Sequence, residues 1–246
     1  MFNENWGMTW RSHLRTALDR LLPGVCDLCE QHNQWGRDLC QYCHQALPWN
    51  HQACVRCAEP LPIAGAPCNR CPAHWTIHTT IAPLLYQGSA QGWVTALKFR
   101  QSLVAGRLLG ELLADAASLS YTGPNALPQA LVPIPLHWRR LMTRGLNQAQ
   151  VIAKPCAART SRPIAIGRLK RRYHQKSQHQ LKRAERLTHL TQVFYSKPWH
   201  GAHIALVDDV ITTGATANAA AQACLDAGAS RVDLWCATRT SALDLY

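Results

Sequence analysis

The sequence predicts an α/β protein: a mostly parallel sheet with crossover helices, preceded by a small module folded around metal. Three observations carry this. From residue 79 to 238, short apolar runs of strand length alternate with longer runs of helical periodicity, which is how parallel strands joined by helices read. From Cys26 to Cys71, four Cys-x-x-Cys pairs recur with their first members 14 residues apart, a fixed internal period. Near the C-terminus, apolar Ile204-Ala205-Leu206-Val207 runs into Asp208-Asp209. The turn Thr212-Thr213-Gly214-Ala215-Thr216 and an alanine-rich helix follow.

Taken in order, Trp10, Leu14, Leu18, Leu21 and Leu22 recur at helical spacing, so residues 1–22 are assigned to an amphipathic helix that Pro23-Gly24 ends. Residues 23–75 form the cysteine module, with pairs Cys26/Cys29, Cys40/Cys43, Cys54/Cys57 and Cys68/Cys71. A Cys-x-x-Cys turn brings two thiolates to one tetrahedral ion, and two such turns close a structural zinc site. Eight thiolates therefore predict two zinc ions. Sequential pairing is the simplest arrangement; the spacing leaves an interleaved one open. This stretch has few large aliphatic residues, so metal must supply the folding free energy that a core would otherwise give. Cys40-Gln41-Tyr42-Cys43-His44 fits a haem attachment pattern, but the other three pairs lack the histidine, and four repeated pairs do not look like a redox centre. Pro60, Pro62, Pro67, Pro72 and Gly65 hold the second half of the module in turns.

Residues 76–246 form the α/β domain. Strands are expected over 79–86, 130–134, 164–169, 202–207 and 231–238. Helices are expected over 90–99, 103–117, 147–158 and 215–227, the last stopped by Gly228. Leu108, Leu109, Leu112 and Leu113 give the second helix a broad apolar face. Pro155 predicts a kink or break near Ala153. Residues 121–128 read as a loop. Cys156, Cys224 and Cys236 read as buried, inert thiols.

The chain has 246 residues, 47% of them apolar, and no run of 18 apolar residues, so no membrane span is predicted. Trp6 to Leu22 carries Arg11, Arg15, Asp19 and Arg20 instead of a continuous apolar stretch, so a cytoplasmic location is expected. The net charge is +12 before any metal binds. Two zinc sites of four thiolates each would lower it to about +8. The protein stays basic, which suits polyanions such as nucleic acid.

The order strand, acid pair, small-residue turn, helix is that of a phosphate site. Turn amides and the helix N-terminus face an anion, hydroxyls add donors, and the carboxylates suit sugar hydroxyls or a bound magnesium ion. A second segment, residues 133–148, follows a strand and opens a helix. Its Arg140, Arg144 and Gly145 suit a diphosphate. Residues 168–186 are dense in positive charge. Arg171, Arg172, Lys176, Lys182 and Arg183 are the nucleic-acid candidates there, and a solvated loop is the plainer reading.

The 204–216 run resembles the 5-phosphoribosyl-1-pyrophosphate (PRPP) signature of type I phosphoribosyltransferases. That resemblance implies that Asp208 and Asp209 hold the ribose 2- and 3-hydroxyls while Thr212, Thr213, Gly214, Ala215 and Thr216 wrap the 5-phosphate. The chain as a whole resembles the ComF/GntX family, an N-terminal double zinc ribbon joined to a type I phosphoribosyltransferase-like domain. The residues that carry this are the four cysteine pairs, Tyr86-Gln87-Gly88, Leu97-Lys98-Phe99, Arg140, Arg144-Gly145, Asn147-Gln148, Gln178, Leu181, Arg186 and the 207–210 segment. The likeness is greatest to GntX-like members tied to use of external DNA; others belong to natural competence. Leu146 replaces the usual Phe, Gln175 stands where Thr is common, and Lys154-Pro155 interrupts a helix that is normally continuous. The resemblance implies PRPP with magnesium, single-stranded DNA and DNA-processing proteins as partners. Two functions follow: a binding protein that uses the pocket as a ligand sensor, or an active transferase that moves phosphoribosyl onto a nitrogen base.

Overall fold

A computed structural model describes residues 24–33, 37–63, 66, 68–71, 74–121, 123, 126–172 and 193–241. The expected helix over 1–22 lies outside these residues, as do Lys176, Lys182, Arg183, Gln178, Leu181 and Arg186. The chain divides into two compact units, Met1–Leu47 and Pro48–Tyr246. The second four-cysteine group thus lies in the same unit as the sheet.

In the first unit, β1 (Gly24–Val25) and β2 (His32–Asn33) pair antiparallel across the first cysteine knuckle. Helix α1 (Gln41–Gln45) follows, and the Cys40 sulfur caps it by accepting from the Cys43 amide at 3.4 Å.

The second unit is built on β3 (Thr80–Ile81), β4 (Leu84–Leu85), β5 (Ala130–Pro133), β8 (His203–Ile211) and β9 (Arg231–Arg239). Their order is β3-β9-β8-β5, with β4 also on β9, and every pairing is parallel. The expected strand over 79–86 is split at Ala82-Pro83, because proline has no amide to give the ladder. β8 and β9 are buried on both faces and read as continuous apolar runs. β8 extends beyond the expected 202–207 to Ile211, so both acids sit within the strand.

Helices α2 (Gly88–Phe99), α3 (Leu103–Ser120), α5 (Gln148–Thr160) and α6 (Ala215–Asp226) cover the sheet. The four leucines of α3 are all buried. Gly106 and Gly110, one turn apart on α3, let α5 approach closely. A Cβ on Gly110 would lie 2.4 Å from the Ile152 carbonyl oxygen and from the Pro155 ring, and the Cys156 thiol reaches the Gly110 carbonyl at 3.0 Å. This packing explains why, of the kink or break expected near Ala153, the break does not occur: α5 runs through Pro155 to Thr160. The lost hydrogen bond is outweighed by burial of Ile152, Ala153 and Cys156.

Two further differences concern the neighbourhood of the site. A short helix α4 (Trp138–Arg144) occupies the basic segment, stopped by Gly145 at φ +71°. No strand spans 164–169: Ile164 alone bridges Leu131, Gly167 at φ +74° turns the chain, and β6 (Leu169–Arg171) pairs antiparallel with β7 (Phe194–Ser196).

Candidate functional site

The carboxyl ends of parallel strands are where open α/β sheets bind ligands. Here β8 delivers Asp208, Asp209 and the 212–216 turn to one cavity of about 670 Å³. Thr212, Thr213, Ala215 and Thr216 are exposed and line it together with Gly214. Gly214 caps α6 at φ +74°, and no side chain occupies the cap position. The first amides of α6 therefore face the cavity, with Ala215 N–H only 3.4 Å from the Thr213 hydroxyl. Only glycine fits at 214, since a Cβ would lie 2.3 Å from the Trp75 ring.

The opposite wall is α4 and the strand end before it, contributing His137, Arg139, Arg140 and Arg144. Asn147 fixes this wall: its side chain caps α5 through the Ala149 amide at 3.1 Å and donates to the Ile134 carbonyl at 3.0 Å. Buried Gln148 accepts from Arg144 at 3.3 Å and orients it. Gly145 terminates α4 and does not line the cavity. Arg171, on β6, joins the cavity wall as well. Burial first and Arg140 second hold the Arg171 guanidinium below the usual arginine range. His137 is likewise held low, by desolvation and then by Arg171, Arg139 and Arg140. Several guanidiniums on one wall give the cavity a chemistry suited to anions. Arg172 sits apart, in a neighbouring cavity of about 710 Å³ that shares Pro135, Leu136 and Arg171 with the first.

At the cavity floor, each acid binds the next residue's amide: Asp208 accepts from Asp209 N–H and Asp209 from Val210 N–H, both at 2.9 Å. Lys98 on α2 forms an ion pair with Asp209 at 2.8 Å. Burial first, then the charge of Asp209, push the Asp208 carboxyl well above the usual range. His137 and Arg139 belong to the basic 133–148 segment, whereas Lys98 and Tyr86 are cavity residues that no local pattern of charge or spacing singled out. The segment around Lys98 carries family resemblance, but its pairing with an acid 111 positions away leaves no local signal.

The turn is held from behind by residues next to the second cysteine group. Arg239, at the end of β9, donates to the Thr212 carbonyl and pairs with buried Glu59 at 2.5 Å. Trp75 packs under Gly214 and donates to the Arg56 carbonyl at 2.6 Å. Asn218 on α6 accepts from the Thr76 amide at 2.7 Å and donates to the His74 carbonyl at 2.9 Å. Cys54, Cys57, Ala58 and Trp75 belong to the same buried cluster as Leu206, Ala217 and Cys236. The remaining cysteines, Cys156, Cys224 and Cys236, are buried as expected, and burial raises their thiols.

The eight ribbon cysteines gather into two groups, Cys26/Cys29/Cys40/Cys43 and Cys54/Cys57/Cys68/Cys71, which is the sequential pairing. A tetrahedral zinc with bonds of about 2.3 Å has sulfur–sulfur edges of about 3.8 Å. Cys29–Cys40 and Cys57–Cys68 stand at 3.7 Å and Cys54–Cys71 at 3.5 Å, so the groups fit two structural zinc ions.

Fold and site together define a double zinc ribbon protein with a parallel α/β sheet and an arginine-lined cavity at its carboxyl edge. The double zinc ribbon domain family matches residues 17–72. The DNA utilization protein YhgH of Escherichia coli (strain K12) is 33% identical over 162 residues, 65% of this chain and 67% of that protein. Competence protein F of Haemophilus influenzae is 29% identical over 147 residues, 58% of this chain and 64% of that protein. Competence protein ComFC of Bacillus subtilis (strain 168) is 38% identical over 101 residues, 40% of this chain and 39% of that protein. The chain belongs to the ComF/GntX family. Among the described residues, no helix is long and apolar enough to cross a membrane.

Proposed function

We propose that this is a cytoplasmic protein of DNA utilization or competence whose phosphoribosyltransferase-like domain binds PRPP and which also binds single-stranded DNA. One observation carries the PRPP half of the reading: the 212–216 turn, the acid pair and a set of arginines meet in one cavity. The 5-phosphate takes the turn and the N-terminus of α6. Asp208 and Asp209 hold the ribose hydroxyls, and the diphosphate meets Arg140 and Arg144, with Arg139 and Arg171 beside them. Magnesium, when bound with PRPP, neutralises diphosphate charge, and the carboxylates are of the hard-oxygen type it takes. The names of the YhgH and competence relatives support the DNA half.

Calorimetric titration with PRPP and magnesium tests the pocket. Binding is expected, and Asp208→Asn with Asp209→Asn should abolish it in a protein that still unfolds cooperatively. Unchanged affinity in that variant would remove the pocket assignment.

A second reading, phosphoribosyl transfer to a nitrogen base, is favoured by the adjoining 710 Å³ cavity, which gives an acceptor room beside the sugar site. Catalysis would be mostly electrostatic: the arginines meet the leaving diphosphate and the acids face an oxocarbenium-like carbon. Pyrophosphate release from PRPP in the presence of candidate bases supports this reading; binding without turnover supports the sensor.

A further inference from the structure

Single-stranded nucleic acid is held by a cationic groove and by aromatic faces on which bases stack. Five aromatic rings of the second unit lie under arginine guanidiniums, and exposure separates them into two kinds. Phe194 and Trp199 are 4% and 6% exposed, so Arg171 and Arg168 above them close the packing. Phe99, Trp138 and Tyr195 are 73%, 45% and 39% exposed, so their rings remain open to a ligand. Each open ring is paired with an arginine at the mouth: Arg144 lies 5.9 Å from Phe99, Arg139 lies 5.4 Å from Trp138, and Arg172 lies 5.8 Å from Tyr195. Arg139 and Arg144 line the first cavity, and Tyr195 with Arg172 lines the second, which shares Arg171 with it.

We infer that these three arginine-backed rings form a track for single-stranded DNA around the rim of the cavity. The inference rests on the DNA half of the proposed function and adds the residues that do the binding. Charge complementarity selects the occupant. Among the described residues, no carboxylate forms an ion pair with Arg139, Arg140, Arg144 or Arg171. A polyanion with flat bases satisfies both the guanidiniums and the rings, whereas an apolar protein partner would desolvate the arginines without pairing them. Arginine beside a ring aims its charge at the phosphate of a base stacked on the exposed part of that ring, and at Trp138 the His137 ring, 5.9 Å away and tilted by 32°, borders that surface. The strand so held passes the place where the phosphorylated sugar sits, so the two ligands share one mouth.

The test is fluorescence anisotropy of a labelled 20-mer of thymidylate on the full zinc-loaded chain, at low and at physiological salt. Wild-type protein should bind it with strong salt dependence. Phe99→Ala, Trp138→Ala and Tyr195→Ala should each weaken it about tenfold, and the triple variant by more. Duplex DNA of equal length should lose far less, because its bases are not free to stack. These rings are solvent-exposed, and PRPP affinity should be kept in the triple variant. The Asp208→Asn, Asp209→Asn protein should keep the thymidylate while losing PRPP. If the wild type does not bind the 20-mer, the DNA half of the proposed function fails and the track with it. If it binds but the triple variant binds equally well, or loses single-stranded and duplex DNA alike, the track is overturned while the DNA half stands. A uridylate 20-mer bound tenfold more tightly than thymidylate would overturn the choice of DNA.

Discussion

Asp208 and Asp209 show how a site residue works against its own fold. Asp208 is held at the cavity floor with its carboxyl pushed up by burial and by Asp209, so ionising it costs more in the native state than in the unfolded chain. Below the ordinary carboxyl pKa of about 3.9 both states are protonated and nothing is lost. As pH rises through that value the unfolded chain ionises first and native stability falls; above the raised native pKa the penalty is complete. Asp208→Asn should therefore melt higher than wild type near neutral pH, by about 2–4 °C for each kcal/mol recovered, with the gap closing towards pH 3. Melting curves across that range check it; a lower melting point at neutral pH would contradict the strain. The acid pair was legible because it stands between an apolar run of strand length and a hydroxyl-rich turn within one short segment. Lys98, which pairs with Asp209, was not, because the contact is made by folding α2 against the end of β8.

At the level of elements, the ones that read clearly were those whose own residues decide them. The leucines of α3 and the apolar runs of β8 and β9 needed no partner to be recognised. Helix α4 carries no buried residue and hence no apolar stripe, so periodicity could not find it. The continuation of α5 through Pro155 depends on Gly110, which lies 45 positions earlier. The Glu59–Arg239 pair joins the cysteine loop to the phosphate-type turn through the Thr212 carbonyl, and both side chains are nearly buried. Arg239→Met removes the buried guanidinium facing Glu59, leaving it the half-exposed Arg70 at 3.5 Å, and should cost about 3 kcal/mol by urea denaturation. It should also weaken PRPP binding at least tenfold by calorimetry. Glu59→Gln added to it should recover much of the stability and little of the affinity, because the bond to Thr212 stays absent. Affinity that returns together with stability would show the pair to be a packing feature alone.

For the whole molecule, the cysteine period gave the number of metal groups, and folding gave their partition. Elemental analysis should find about two zinc per chain. A fragment of residues 48–246 should retain one zinc and a cooperative melt, whereas residues 76–246 should lack one, because Cys54, Cys57, Ala58 and Trp75 lie in the core beneath β8. Circular dichroism of both fragments decides this, and a well-folded 76–246 fragment would argue against the shared core. The strut from Glu59 through Arg239 to the Thr212 carbonyl then links the turn to the metal. Metal lost from the second cysteine group would loosen the loop that carries Glu59, and the backing of the 212–216 turn would slacken with it.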